Sequence, residues 1–353
     1  MIPAMDEQRV RDIMSGRARG IGPALLRGGL GMAAVPYALA MRLRRRLYAR
    51  GVLPSRSADI PVICVGNLTT GGTGKTPMVA AIVQMLRNAG ANPAVLTRGY
   101  KAADGVSDEA ELLRDLTGAK VIVNADRAAG AAQAMADGAD VAVMDDGFQH
   151  LRLARDLDMV LLDATNPWGY GHCLPRGMLR EPPAALRAAD AVVITRIDQV
   201  AEQQVDAIGR RVREIAPDVP IACARHQPLA LLDETGQPRP MTDLAGRKVC
   251  AFCGIGNPGA FFAMLEQHNA RLVSRHALPD HADYARALDR ALCGTCEPTD
   301  GCPAQIMVTT EKDFVKLSET TPFRRKVWRV RVEMAITQGA EQIERLVRNA
   351  LRR

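Results

Sequence analysis

The run Gly71-Gly72-Thr73-Gly74-Lys75-Thr76 constrains this chain more than any other feature, because of what flanks it. Before it, Ile60 to Val65 is a short apolar run rich in β-branched residues that closes at Gly66-Asn67. After it, Pro77 to Ala89 carries apolar side chains at helical spacing and ends at Gly90-Ala91-Asn92. Pro93 to Thr97 then reads as a second strand, so the glycine run is the first turn of a strand–loop–helix–strand unit. Glycines let backbone N–H groups crowd a compact polyanion without Cβ clashes. The helix N-terminus aims further N–H groups and its positive dipole end at the same place. Lys75 adds a full charge for the outer phosphates, and Thr76 a hydroxyl for Mg²⁺. The residues expected to hold a nucleotide are therefore Thr69, Thr70, Gly71, Gly72, Thr73, Gly74, Lys75 and Thr76. One position departs from the usual pattern: Thr69 stands where a glycine opens most such loops.

The alternation continues. Lys120 to Asn124, Val141 to Met144, Met159 to Leu162 and Ala191 to Thr195 read as strands, with a helix over Arg127 to Ala136. Continuous apolar strands alternating with helices imply a parallel sheet covered on both faces. Leu229 to Leu232, the turn Asp233-Glu234-Thr235-Gly236, and Pro238 and Pro240 then suggest a hairpin-like linker. Strands at Lys248 to Cys253 and Gln305 to Thr309 restart beyond it. The expected architecture is α/β, with a P-loop-type core over 56–226, a linker over 227–240 and a smaller α/β domain over 241–353. Residues 1–55 form an N-terminal helical segment ahead of the core.

That segment carries the charge signal. The chain has a net charge of +7, and its densest basic run is Arg42, Arg44, Arg45, Arg46 and Arg50. It follows a charge-free apolar stretch from Gly28 to Met41. The stretch is too short to span a bilayer, and the charge order is wrong for a secretory signal. An apolar face next to arginines reads as a helix lying among lipid headgroups; the plainer alternative is a helix packed on its own domain. An anionic membrane surface is thus an expected partner. Nucleic acid is not, since aromatic residues for base stacking make up only 4% of the chain.

A metal-holding carboxylate is expected at the end of a neighbouring strand. Asp145-Asp146 after Val141 to Met144 fits, and Asp163 after Met159 to Leu162 is a second candidate; a helix cap explains either one alone. Thr195-Arg196-Ile197-Asp198 has the outline of a guanine-reading motif, with arginine where lysine is usual; Asp198 can equally cap the next helix. Among the cysteines, Cys250 and Cys253 lie in an apolar strand whose alternation points them to opposite faces. Cys293, Cys296 and Cys302 sit in an insertion, where three thiolates and a neighbour can bind a metal or simply be loop residues. No compact disulfide framework is visible, so a reducing compartment is expected.

Several stretches together resemble one family, the tetraacyldisaccharide 4′-kinases of lipid A synthesis. The residues that carry the resemblance are Val65 to Pro77, Thr97-Arg98-Gly99-Tyr100, Asp145-Asp146-Gly147-Phe148-Gln149-His150 and Leu179-Arg180-Glu181-Pro182. Further along come Gly254-Ile255-Gly256-Asn257-Pro258, Asp280-His281 and Thr310-Glu311-Lys312-Asp313, all in family order. In that family a threonine at the position of Thr69 is usual.

The resemblance implies ATP and Mg²⁺ as cofactors, an acylated glucosamine disaccharide 1-phosphate as acceptor, and a peripheral enzyme at the cytoplasmic face of a bacterial inner membrane. It also implies roles. Lys75 neutralises charge, and Thr76 with Asp145 or Asp146, helped by Glu181, holds the metal. Asp108 is the base and His281 its partner. Arg98, Arg127, Gln149, His150 and Arg180 face the acceptor or nucleotide. The two domains are expected to close over ATP. Lys101-Ala102, Ser107 and Ala282 depart from the family's usual residues without removing any of these.

Overall fold

The computed structural model describes residues 7–99, 108–255, 257–278, 304–317 and 327–352. The chain forms two compact units. The first comprises residues 1–99, 116–225 and 334–353; the second comprises 100–115 and 226–333.

Two helices open the first unit, α1 (Glu7–Ser15) and α2 (Ile21–Ala49). Then follow β1 (Val62–Asn67), α3 (Lys75–Asn88) and β2 (Pro93–Thr97). The chain then passes through α4 (Asp108–Thr117), whose residues up to 115 belong to the second unit, and continues in the first with β3 (Lys120–Val123), α5 (Arg127–Ala136), β4 (Val141–Asp145) and β5 (Leu157–Asp163). Next come β6 (Ala191–Thr195), α6 (Glu202–Ile215) and β7 (Ile221–Leu232), within which the chain leaves the first unit. The strand order is β7-β6-β5-β1-β4-β2-β3, and these neighbours pair in parallel.

This sheet is buried on both faces because its central strands have no polar alternation. All residues of β1, β2, β4, β5 and β6 are buried, including the carboxylates and asparagine at their C-terminal ends. One face packs Cys64, Met144, Val160 and Ile194 against Ala131 and Ala134 of α5, Ile208 and Val212 of α6, and Tyr37 and Ala38 of α2. The other is covered by α3 and by the helix of residues 340–350 that returns to this unit. The expected parallel sheet with helices on both faces is thus what forms, with β1 central and the glycine loop rising from its end.

Helix α2 differs from the expectation. It runs for 29 residues, through Pro36, and its apolar portion is long enough by length and composition to cross a membrane. The stretch from Gly28 to Met41 is shorter because it is bounded by the charges of Arg27 and Arg42, whereas the helix runs past both. Here Tyr37 and Ala38, just after Pro36, pack against the core of the sheet, Ala34 just before it is buried, and that packing compensates the backbone bond which proline removes.

The second unit continues β7 into a hairpin with β8 (Pro238–Arg239), Leu231 opposite Arg239. Then follow β9 (Lys248–Cys253), α7 (Pro258–Gln267), β10 (Arg271–Ala277), β11 (Ile306–Thr310), the short α8 (Glu311–Phe314) and β12 (Val327–Gln338), which leads back to α9 (Ala340–Ala350) in the first unit. Strands β10-β9-β11-β12 pair in parallel. Cys253 packs in the cluster with Leu231, Phe261 and Trp328, and Cys250 in a separate one with Phe252, Met307 and Leu317. The two thiols therefore face opposite sides of β9 and form no metal site with each other.

Candidate active site

The phosphate loop is set by its two ends. Asn67 closes β1, buried between β4 and β5. Gly74 opens α3 in the left-handed region (φ 88°) with no side-chain cap, and the first turn of α3 holds no acidic residue. The positive end of this helix therefore faces the loop without an intramolecular anion. Gly71 (φ 106°) is the second left-handed position, which an L side chain rarely adopts. Thr69 and Thr73 are buried, so the loop is part of the packed domain.

The C-terminal ends of β1 and β4 bring the charged groups together. Lys75 Nζ lies 3.4 Å from Asn67 Oδ1 and 3.5 Å from Asp146 Oδ1. Both contacts are long, so the ammonium is oriented but only weakly held. Asp146 sits just past β4 at φ 53° and accepts from Arg180 Nη1 at 2.8 Å on both carboxylate oxygens. Burial opposes its ionisation, but Lys75 and Arg180 outweigh it and hold the carboxyl below its ordinary range. Asp145, the last residue of β4, is buried beside it. Gln149 donates from Nε2 to the Asn67 carbonyl at 2.9 Å, while its Oε1 lies 3.4 Å from Arg180 Nη1. Lys75, Asp146, Gln149 and Arg180 thus form one polar array at the mouth of the loop.

Glu181 lies behind this array. Its side chain is 2% exposed and its Oε2 accepts from Arg45 Nε at 2.8 Å, while Oε1 has no protein partner. Burial raises its pKa in spite of the arginine. Arg45 also stacks 4.3 Å over the Phe148 ring and donates to the Phe148 carbonyl. Arg44 donates twice to the Gln149 carbonyl at 3.0 Å, and Tyr37 Oη to the Arg180 carbonyl at 2.9 Å. Arg44 and Arg45, which the sequence places among headgroups, are therefore turned inward to grip the Asp145–His150 loop. Arg42, Arg46 and Arg50 remain exposed.

The other expected residues are less gathered. Arg127 is buried at the start of α5 and donates to the Asn124 carbonyl. His150 is half-buried; burial first, then the nearby Arg127, Arg152 and Arg155, lower its pKa and favour the neutral imidazole. Arg98 is exposed at the end of β2. Asp163 accepts from Thr165 and pairs with Arg196, which makes it a local cap and brace. Asp108 opens α4, and the placement of its side chain lies outside the described residues. Asp280 and His281 lie outside them too, as do Tyr100 to Ser107, Gly256, Ala282, Cys293, Cys296 and Cys302. Sequence reasoning missed Tyr37 and the inward turn of Arg44 and Arg45. At 100° per residue those three lie on one side of the helix, away from Leu25 and Leu39, so helical phase was the available signal.

Comparison with known proteins agrees with this geometry. A family model described as tetraacyldisaccharide-1-P 4′-kinase matches residues 29–352. The tetraacyldisaccharide 4′-kinase of Anaeromyxobacter sp. strain K is 39% identical over 355 residues, 93% of this chain and 92% of that protein. That of Geobacter metallireducens is 38% identical over 309 residues, covering 82% and 88%. The "apo" form of LpxK from Aquifex aeolicus, solved in complex with ATP, superposes with a TM-score of 0.73 at 28% identity, covering 92% of this chain and 99% of that one. A match of this extent, over the same strand ends that assemble the charged array, means that the chain belongs to the tetraacyldisaccharide-1-P 4′-kinase family.

Proposed function

We propose that the array at the end of β1 and β4 transfers the γ-phosphoryl group of ATP to the 4′-hydroxyl of a tetraacylated glucosamine disaccharide 1-phosphate. The observation that carries this reading is the Lys75–Asp146–Arg180 array, poised at an uncapped helix N-terminus. Backbone N–H groups of the loop and the start of α3 take the inner phosphates. The weakly held ammonium of Lys75 swings from Asp146 to the outer ones.

Asp145, Asp146 and the Thr76 hydroxyl are hard oxygen donors suited to Mg²⁺, and Glu181, whose Oε1 has no protein partner, is a carboxylate that would act in place of one of them. Among the described residues no group of three or more His, Cys, Asp or Glu side chains forms a metal cage. That suits an ion held by one or two carboxylates and the nucleotide's own phosphates. Held by these oxygens, Mg²⁺ would supply neutralisation of the charge that develops on the phosphates. Arg180, whose Nη1 donates to both Asp146 oxygens, holds Asp146 in place and presents a second cation at the transfer position. Arg127, Arg98, Gln149 and His150 are proposed to meet the acceptor. Asp108 removes the proton of the attacking hydroxyl, with His281 orienting it and sharing that proton.

The acceptor is a lipid, and α2 supplies a membrane-facing surface. Ile21, Leu25, Met32, Val35, Leu39 and Leu43 are all exposed, and at 100° per residue they fall within roughly 80° of arc. Arg46 and Arg50 continue the same face toward the helix C-terminus, exposed to anionic headgroups. The opposite face carries Tyr37, Arg44 and Arg45, committed to the site. The helix is thus proposed to lie on the cytoplasmic leaflet, not to cross it.

The test is transfer of label from γ-labelled ATP to a tetraacyl disaccharide 1-phosphate in detergent micelles, with wild type beside Lys75→Ala and Asp108→Asn. Labelled lipid in the wild type, lost in both variants, is expected. Full activity in Asp108→Asn removes the base assignment. No labelled lipid from a wild type that binds ATP removes the acceptor.

A further inference from the structure

The segment after β6, Thr195-Arg196, has no part in the chemistry above, yet it touches the phosphate loop more closely than any catalytic side chain does. Thr195 is fully buried at the end of β6, and its Oγ1 donates to the Thr73 carbonyl at 2.9 Å. Arg196 donates from Nη2 to the Gly72 carbonyl at 2.7 Å, and its Nη1 pairs with Asp163 at the end of β5. Arg196 itself sits in the left-handed region, φ 57° and ψ 37°, which a long side chain rarely occupies. Two long-range contacts hold it there, and both lead to the loop or to the strand end beneath it.

In a trans peptide unit the C=O and the following N–H point in opposite directions. Fixing the Gly72 carbonyl toward Arg196 therefore turns the Thr73 N–H away from it. Fixing the Thr73 carbonyl toward Thr195 does the same for the Gly74 N–H. The earlier half of the loop is held differently: Thr70 N–H donates to the Met178 carbonyl and Arg180 N–H to the Leu68 carbonyl, both from the other flank. The two consecutive units 72–73 and 73–74 are thus oriented from β6, and their N–H groups both face the side opposite Thr195 and Arg196.

We propose that Thr195 and Arg196 are positioning residues for ATP: they lock two peptide units of the phosphate loop so that the Thr73 and Gly74 N–H groups stand ready to donate to phosphate oxygens before the nucleotide arrives. Without them those units are free to rotate, and a carbonyl oxygen can turn toward the phosphates in place of an N–H. Asp163 serves the same end by holding the Arg196 guanidinium against the loop.

This rests on the nucleotide reading of the loop, and the experiment separates the two. ATP affinity is measured calorimetrically on the full chain for wild type, Thr195→Val, Thr195→Ser and Arg196→Met, with KM for ATP and for the lipid acceptor alongside. Thr195→Val keeps shape and removes one hydrogen bond, so ATP affinity falls about fivefold to tenfold. Thr195→Ser restores the hydroxyl and most of the affinity. KM for ATP rises with the loss of affinity and KM for the acceptor does not move, a split that a general loss of stability would not give. Arg196→Met weakens ATP further; if it fails to fold, the valine–serine pair decides alone. Wild-type affinity in Thr195→Val, or a serine variant as weak as the valine one, overturns the proposal. A wild type that binds no ATP overturns instead the nucleotide reading beneath it.

Discussion

Replacing Arg45 by methionine tests how α2 and the Asp145–His150 loop are joined. Methionine keeps the aliphatic length but leaves Glu181 buried, at 2% side-chain exposure, with its only described ionic partner removed. It also removes the cation stacked over Phe148. Breaking a buried pair from one side costs about 3–5 kcal/mol. For a unit of roughly two hundred residues that corresponds to about 6–20 °C in Tm. The penalty depends on pH with a definite sign. Burial already raises the Glu181 pKa, and Arg45 is the main influence lowering it. Without Arg45 the folded-state value rises further above the unfolded one. A group of that kind contributes fully below its unfolded pKa and loses its contribution as pH rises through the folded value. The loss of Tm in Arg45→Met is therefore small near about pH 5 and large near about pH 8. Thermal unfolding followed by circular dichroism at both pH values reads this directly. The double variant Arg45→Met/Glu181→Gln should recover most of the loss at high pH. An equal loss at both pH values, or no recovery in the double variant, would refute the account.

Gly66→Ala should nearly abolish activity, because its Cβ would lie 2.5 Å from Phe148 Cβ and 2.8 Å from the Phe148 backbone nitrogen. Relief means pushing the Asp145–His150 loop off β1 at about 1–3 kcal/mol of stability, which kinetics beside a thermal melt would show as activity lost beyond the fraction unfolded. Thiol labelling under native conditions should modify at most three cysteines, and eight after denaturation. Cys64, Cys173, Cys223, Cys250 and Cys253 are all buried out of the eight in the chain, and burial pushes Cys253 up to about 12. Mass spectrometry of the alkylated protein counts them, and a fourth fast-reacting thiol would contradict the packing of β9 or β1. Leu25→Glu/Leu39→Glu should reduce sedimentation with anionic vesicles at least about tenfold while leaving ATP affinity unchanged; unchanged sedimentation would remove α2 as the membrane face.

The sheet was legible because several signals coincide at β1, the glycine loop and α3. An apolar β-branched run, a left-handed turn and a helical apolar period fall in succession, and each limits the reading of the next. Asp145-Asp146 was legible for a related reason, since a run with no polar alternation has its first carboxylate where the strand ends. What the sequence does not settle is direction. Arg42 to Arg50 form one cluster in composition, but the helix sends Arg44 and Arg45 to one side and Arg46 and Arg50 to the other. Strand β12 was not among the expected strands, although Val327-Trp328-Arg329-Val330-Arg331-Val332 alternates as a half-buried strand should. Thr195 to Asp198 was ambiguous for the opposite reason, since a short motif fits two chemistries. The family match decides for the kinase over the guanine-binding alternative, and the structure gives Arg196 a different occupation. Asp163 was a metal candidate by position alone; Arg196 and Thr165 are what it meets.

On the proposed reading, the arrangement of the first unit lets one helix serve both a membrane surface and a site. A lipid-borne acceptor cannot leave the bilayer without exposing its acyl chains, at about 0.8 kcal/mol for each methylene drawn into water. The phosphoryl donor must therefore be brought to the lipid, and its height above the membrane fixed to within the reach of a hydroxyl. In the first unit that distance would be set by a series of consecutive polar contacts. The outer face of α2 is apolar. Its inner face gives Tyr37 to the Arg180 carbonyl, Arg180 to Asp146, and Asp146 to Lys75. Arg44 and Arg45 secure the same loop from the next turn of the helix. A helix tied in this way cannot sink or tilt without shifting the carboxylate beside Lys75. Registering the proposed membrane face and the phosphate loop within one compact unit would place the donor by packing and leave the lipid free to diffuse to it.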